Sequence, residues 1–414
     1  MKLGGKTSSG HDLRYYALSF AIIIPLFRPR SISQFESIER VFYLGQILFA
    51  MAVGFYMLVR ILSKKTRAFS TIAWMVIFYK AWETLAIYKN GCGDFSTLVN
   101  ATGIIGATIL TEYMLKKAPA EYLFTLSFYT GLLVLTNNIS YCTGGFSGVT
   151  DATGNIVYFW STRNHLSSLF FIALISSFIY NGIARTSVSF LGNLFVLSNV
   201  IWGTIAFQSA TTIVGIACYI VLYILFMKRT MLYQPVKFYL GGLGLHIAIV
   251  ILRVQEIFSY LIENLLQRSL TMSGRTMIWD TALLFLVSRP VWGYGQSSIF
   301  AFTFAKSEIP AHNQILDVGI VCGIPGIILF VLMFWVAFRL LKNYRNSMVA
   351  RIICCSLLSY VVMSISESPN PYQPWYILLG MISLIPDIDK RYTYISYKLT
   401  SRGVLRRKRV KGNM

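Results

Sequence analysis

The chain has 414 residues, 55% of them hydrophobic and 13% charged, with a mean hydropathy of +0.60. Soluble domains carry roughly 25% charged residues, and so apolar a chain has too little polar surface to cover its core, so a soluble fold is excluded. A net charge of +21 would suggest nucleic acid in a soluble protein; here nine Lys or Arg crowd between Lys390 and Lys411, after the last apolar run, where they suit an anionic lipid surface rather than nucleic acid.

Apolar runs recur along the chain, and none alternates with the period of two that a barrel strand needs. Only helices and closed barrels satisfy their backbone groups in lipid. The expected fold class is therefore all-α and polytopic, with about twelve transmembrane helices whose ends are good to a few residues. The polar, basic start MKLGGKTSSGHDLRYY leads into a first span over 15–27, followed by RPR and no small-residue cleavage site. It reads as a cytoplasmic lead into an uncleaved helix. Further spans are predicted over 41–62, 68–88, 95–115 and 122–136. A polar loop over 137–165 precedes spans at 166–184, 188–207, 212–227 and 238–252. The longest interruption, 253–313, opens on the amphipathic run VQEIFSYLIENLLQRSL and then carries SGRTMIW, RPVWGYG and AHNQ. The last three spans are expected over 315–341, 352–365 and 375–385, before a basic tail over 387–414. The organisation is thus 1–252 with nine helices, 253–313 as one large loop, 314–386 with three helices, and the tail.

With this layout both termini are cytoplasmic. The inner loops SKKTR, KKAPAE, RTS, KRTMLYQPVK and KNYRNSMVAR all carry Lys or Arg, whereas the outer loops QSATT and SESPNPYQPW carry none. That bias supports the orientation and puts 137–165 and 253–313 on the same outer face.

Several residues can carry chemistry there. Ser273 is a candidate helix N-cap, with Arg275 in the first turn. A cation is disfavoured at that end unless an anion neutralises both it and the helix dipole, so Arg275 suggests a bound phosphate; the alternative is a solvated arginine. Trp279, one turn on, suits either a sugar ring or a headgroup anchor. His312 can take a proton from a hydroxyl or be structural, and Asn313 and Gln314 are placed to orient it. Lys80 and Glu83 share a face inside the third span, as a structural pair or as part of a substrate channel. His246, Arg253 and Glu367 fall near the outer ends of spans, and Arg163 and His165 lie in the other outer loop. Of the six cysteines, Cys92 and Cys142 fall in outer loops, where they pair or sit together by chance; no Cys/His spacing suggests zinc. No Walker loop or dinucleotide-binding glycine pattern is present, so no nucleotide cofactor is implied.

Gly274, Arg275 and Trp279, then Pro290, Gly293 and Gly295, then His312 and Asn313, then Gly323 and Gly326 resemble, in order and spacing, the motifs of the O-antigen ligase and Wzy-type polysaccharide polymerase family. The resemblance covers about 55 residues; beyond them only topology matches. It implies a GT-C-like fold and a metal-independent glycosyltransferase of the bacterial cytoplasmic membrane, working at the outer face. The implied donor is a glycan on undecaprenyl diphosphate, the acceptor a sugar hydroxyl, and the product O-antigen, capsule or exopolysaccharide. Membrane lipids and a chain-length regulator protein are the other implied partners. Arg275 is implied at the diphosphate leaving group and His312 as the base. Ligases of the family often carry an Arg in a pattern like S-R-T-A, where this chain has QSATT with Ala210. That departure tilts the expectation from ligase to repeat-unit polymerase and leaves Arg163, Arg253 or Arg289 to supply the second cation. A flippase of the lipid-linked sugar is the alternative of another class; it would concentrate polar groups along mid-membrane spans and show internal repeats.

Overall fold

The computed structural model describes residues 12–63, 69–145, 156–254, 275–296, 310–368 and 373–390. Among them the regular structure is entirely helical: α1 (Leu13–Leu26), α2 (Glu36–Leu62), α3 (Thr71–Lys89), α4 (Phe95–Lys117), α5 (Pro119–Cys142), α6 (Leu166–Ala184), α7 (Ser187–Phe207), α8 (Ala210–Lys228), α9 (Pro235–Val250), α10 (Arg275–Ser288), α11 (Gln314–Lys342), α12 (Met348–Met363) and α13 (Gln373–Ile382), with short 3-10 turns at Arg30–Gln34, Arg163–His165 and Thr230–Leu232. A helix lies over each predicted run, and α10 occupies the large loop. The amphipathic run after Val254, together with Ser273, Gly274 and the basic tail beyond Lys390, lies outside the described residues.

The helices start where local chemistry requires. Asp12, Ser70, Asp94, Thr186, Ser209, Asn313 and Ser347 each accept a backbone N–H of the first turn, and Pro119 and Pro235 occupy first-turn positions that need no N–H partner. Helix ends differ from expectation by several residues; the largest difference is at α5, which runs six residues past Thr136, to Cys142. Its polar Asn137 and Asn138 are held by other elements, Asn137 accepting from the Trp160 N–H at 2.9 Å and Asn138 donating to the Asn199 carbonyl at 2.9 Å. Polar residues that read as a loop are thus tied into the bundle by hydrogen bonds to other elements.

Helices α2, α4, α6, α7, α8 and α11 are long and apolar enough to cross a membrane, and α1, α9 and α12 are apolar but shorter. Large apolar side chains also cover the outside: Val188, Leu191 and Ile205 of α7 and Met51 and Phe55 of α2 are exposed. A soluble molecule does not tolerate such belts; the protein is a polytopic membrane protein. At its centre stands α6, packed on α5, α7, α12 and α13.

Helix α11 is broken. Cys322 and Gly323 leave helical geometry, Gly323 with φ +70°, and Pro325 follows. The break frees three carbonyls, and each finds a donor from elsewhere. Ile320 accepts from the Tyr294 N–H at 2.6 Å, Val321 from the Gly295 N–H at 2.9 Å, and Cys322 from the Trp82 indole at 2.8 Å. In return the Ile324 N–H donates to the Pro290 carbonyl at 2.7 Å. The contact is backbone to backbone: a Cβ on Gly293 would run into the Ile320 carbonyl, and one on Gly323 into that of Val291. The RPVWGYG segment is a clasp on the broken helix.

Candidate active site

The segment before α11 holds His312 in an unusual place. Its φ is +49°, a left-handed conformation that costs a non-glycine residue about 1–3 kcal/mol. The neighbours enforce it. The Trp279 indole donates to the Ala311 carbonyl at 3.0 Å, and the Ala311 N–H donates to Asp317 Oδ1 at 2.9 Å. Asn313 caps α11 by accepting the Leu316 N–H at 3.0 Å and donates to the Ile365 carbonyl at 2.9 Å. The Gln314 N–H donates to the Ser364 carbonyl at 2.9 Å. Behind this frame, buried His246 joins α9 to the end of α12, one ring nitrogen 3.1 Å from the Gly242 carbonyl and the other 3.2 Å from the Ser364 hydroxyl.

Held there, His312 Nδ1 lies 3.2 Å from Glu367 Oε1. An ionised carboxylate only accepts, so Nδ1 carries the proton and Nε2 presents its lone pair. The other oxygen, Oε2, is 3.9 Å from Arg275 Nη2, beyond hydrogen-bond range but within electrostatic reach. Glu367 is only 2% exposed. Burial alone would raise its pKa, but the His312 hydrogen bond and the nearby His312, His165 and Arg275 side chains outweigh it and hold the carboxyl below its usual range.

These groups face a cavity of about 600 Å³. Lys80, Glu83, His165, His312, Asp317 and Glu367 line it together with Arg30. The elements involved run to the same end of the bundle: the close of α1, the last turns of α3, the starts of α4, α6, α11 and α13, and the segment after α12. Lys80 is ion-paired with Glu83, and its ammonium lies 5.0 Å and 5.6 Å from the ring centres of Tyr79 and Tyr376. Asp317 accepts from Ser368 as well as from Ala311. Arg30 starts a 3-10 turn pinned to the 156–162 segment, its N–H donating to the Trp160 carbonyl at 2.9 Å and the Ser31 hydroxyl donating to the Phe159 carbonyl at 2.8 Å. Among the described residues Arg30 forms no ion pair.

Other candidates fall elsewhere. Trp279 is fully buried with Val250, Ala282 and Leu316, so neither the sugar-stacking nor the headgroup-anchoring expectation fits; the ring supports the His312 segment instead. Asn313 is 1% exposed and spends its side chain on the cap and the Ile365 carbonyl. Arg253 is ion-paired with Asp280, donates to the Thr276 carbonyl at 3.0 Å and stands over the Trp279 ring at 5.5 Å; it steadies the start of α10. Arg289 lies 4.7 Å over the Tyr294 ring, beside a separate hollow shared with Lys89 and Asn90. Arg163 is exposed at its 3-10 turn and does not line the cavity. Cys92 and Cys142 are both free thiols, so that pairing is not formed. Arg30 and Asp317 were not singled out from sequence. A signal for Arg30 was available, since RPR directly follows the first apolar run. Among the described residues no group of three or more His, Cys, Asp or Glu side chains is placed to hold a metal ion.

Comparison with known proteins bears on this constellation. Residues 194–331 match a family model described as O-Antigen ligase. That stretch, about a third of the chain, is what is similar to the O-antigen ligase family. A Rickettsia conorii protein named "Putative polysaccharide ligase" is 24% identical over 136 residues, which cover 30% of this chain. The aligned part spans 33% of that relative's length. The O-antigen ligase match takes in Arg275, Trp279, the clasp, His312 and the break in α11. Arg30, Lys80, Glu83, His165 and Glu367 come to the same site from outside it.

Proposed function

We propose that this chain is a membrane glycosyltransferase, moving a glycan from an undecaprenyl diphosphate carrier to a sugar hydroxyl at the outer face of the bacterial cytoplasmic membrane. The observation that carries the reading is the convergence of His312 and Arg275 on Glu367 at the edge of a polar cavity. In the proposed step the acceptor hydroxyl oxygen bonds to the anomeric carbon while the bond from that carbon to the diphosphate oxygen breaks. His312 Nε2 takes the hydroxyl proton, and Glu367 holds the ring in the required tautomer and supports the imidazolium that forms. The diphosphate leaves with the bonding electrons, and Arg275 and Arg30 stabilise its charge in place of a metal. Both termini lie in the cytoplasm in this reading, and Lys80 and Glu83 form the membrane-side floor of the substrate site.

Polymerisation of carrier-linked repeat units is the favoured form, because the turn at 208–212 supplies no arginine. Ligation of finished glycan to another acceptor is the second reading, favoured by the names of the matching family and relative. The glycan profile of a strain lacking this protein, complemented with wild type or with His312→Ala, separates them. Single repeat units accumulating on the carrier mean polymerase, and full polymers on the carrier mean ligase. A normal profile without the protein overturns both.

A further inference from the structure

At the end of the bundle away from His312, a groove of about 450 Å³ opens between α8, α9 and α12. Leu222, Phe238, Leu358 and Val361 make its walls, and Lys237 stands at its far end. Two adjacent glycines of α9 create it. A Cβ on Gly242 would lie 2.6 Å from Val361, so this glycine brings α9 close against α12, whereas a Cβ on Gly241 would meet nothing within 4 Å. The first sets the approach, and the second leaves a slot that a side chain would have filled. From Lys237 to Leu245 the slot follows α9 for about 12 Å.

The chain around the Lys237 end of the groove is strongly basic. Lys228 and Arg229 close α8, Lys237 lies in the first turn of α9, Arg345 lies in the α11–α12 connection and Arg351 in the first turn of α12. Arg345 donates to the Thr230 carbonyl at 2.9 Å, and Arg351 donates to the Arg345 carbonyl through Nε at 3.1 Å and Nη2 at 2.9 Å. The bonds that hold these arginines thus go to carbonyls rather than to carboxylates. No Asp or Glu occurs from residue 152 to 255 or from 318 to 366, so the helices around the groove bring no counter-charge. An apolar slot ending in a cluster of cations matches one ligand chemistry: a hydrocarbon chain bearing a phosphate.

We propose that this groove binds one anionic phospholipid, its acyl chain in the slot beside Gly241 and its phosphate on Lys237 and the neighbouring cations. The site is separate from the glycan-transfer site and does not depend on that reading.

The test is native mass spectrometry of the full chain in mild detergent, with phosphatidylglycerol or phosphatidylcholine added at equal concentration. The expected result is one retained phosphatidylglycerol in preference to phosphatidylcholine. Gly241→Leu fills the slot and removes that retention. Lys237→Gln leaves the slot open and weakens retention about fivefold. Gly45→Leu, at another helical glycine facing open space, leaves it unchanged. Unaltered retention in both Gly241→Leu and Lys237→Gln overturns the proposal. So does equal retention of phosphatidylcholine, or a dimer of this chain that Gly241→Leu dissociates. Monodisperse elution of each variant in phosphatidylcholine alone verifies its fold, and Lys237→Gln decides the matter if Gly241→Leu does not fold.

Discussion

His312 and Glu367 stand 55 residues apart in the chain and 3.2 Å apart in space. One comes from the segment before α11 and the other from the segment after α12, and Arg275 of α10 reaches the second oxygen of the same carboxylate. Three separate elements therefore bear on one buried charge.

Replacing His312 by Ala removes the only group in this frame whose lone pair is aimed by a carboxylate. The transfer rate, measured with purified protein and a carrier-linked glycan, is expected to fall by about a hundred- to ten-thousand-fold. The melting temperature should fall as well, because buried Glu367 loses its hydrogen-bond partner and alanine takes up the left-handed conformation less readily than histidine does. Retention of more than a tenth of the rate removes the base role.

Glu367 makes an acid-dependent contribution to stability. Its folded pKa lies below the ordinary value of 4.5, so the ionised form is favoured by folding. The stabilisation is fully present above the ordinary value and is lost as pH falls through the folded one. Thermal unfolding of wild type and Glu367→Gln should differ most near neutrality and converge on acidification. A gap that widens towards acid contradicts the proposed charge on this residue.

Arg275 and Arg30 are expected to differ from lysine in kind. Arg275→Lys keeps the charge but loses the fork that grips two oxygens, so it should rescue transfer poorly relative to Arg275→Ala. Arg30→Ala should raise the KM for the carrier-linked donor while the protein stays folded, since among the described residues its side chain makes no hydrogen bond or ion pair to another element. An unchanged KM removes Arg30 from the diphosphate site and leaves His312 untouched.

Two variants separate support from chemistry. Trp279→Phe keeps most of the buried volume but deletes the donor to the Ala311 carbonyl, costing about 1 kcal/mol and loosening the His312 backbone. Activity should drop more than stability does. Gly323→Ala forces a side chain into the left-handed conformation against the Val291 carbonyl, and the yield of folded protein should collapse. A fully folded Gly323→Ala would mean that the clasp is not needed.

Much of this architecture was legible in the chain. Apolar runs marked the helices because lipid leaves the backbone no alternative, and Arg275 and His312 stood out as polar chemistry at span ends. The polar Asn137 hid the end of α5, because its partner, the Trp160 N–H, is 23 residues away. Trp279 could not be told from a surface aromatic until α9 and α11 closed over it. Arg253 looked available because its ion pair with Asp280 is invisible in sequence, and Arg30 was passed over because nothing in the chain order brings it to the site. The glycines of RPVWGYG were visible as a pattern, while their use, close backbone approach to a helix that breaks at Gly323, needed both strands of chain in place.

The seam in α11 has a mechanical consequence. Above it, the short piece that follows the imidazole is gripped by α10 and the end of α9; below it, the long apolar piece leans on α3 through Tyr79 and Phe330. The two pieces are joined through the RPVWGYG segment, bonded to Ile320 and Val321 on one side and Ile324 on the other, rather than through one continuous hydrogen-bonded rod. The lie of each piece is thus set by its own neighbours, α10 for the upper and α3 for the lower.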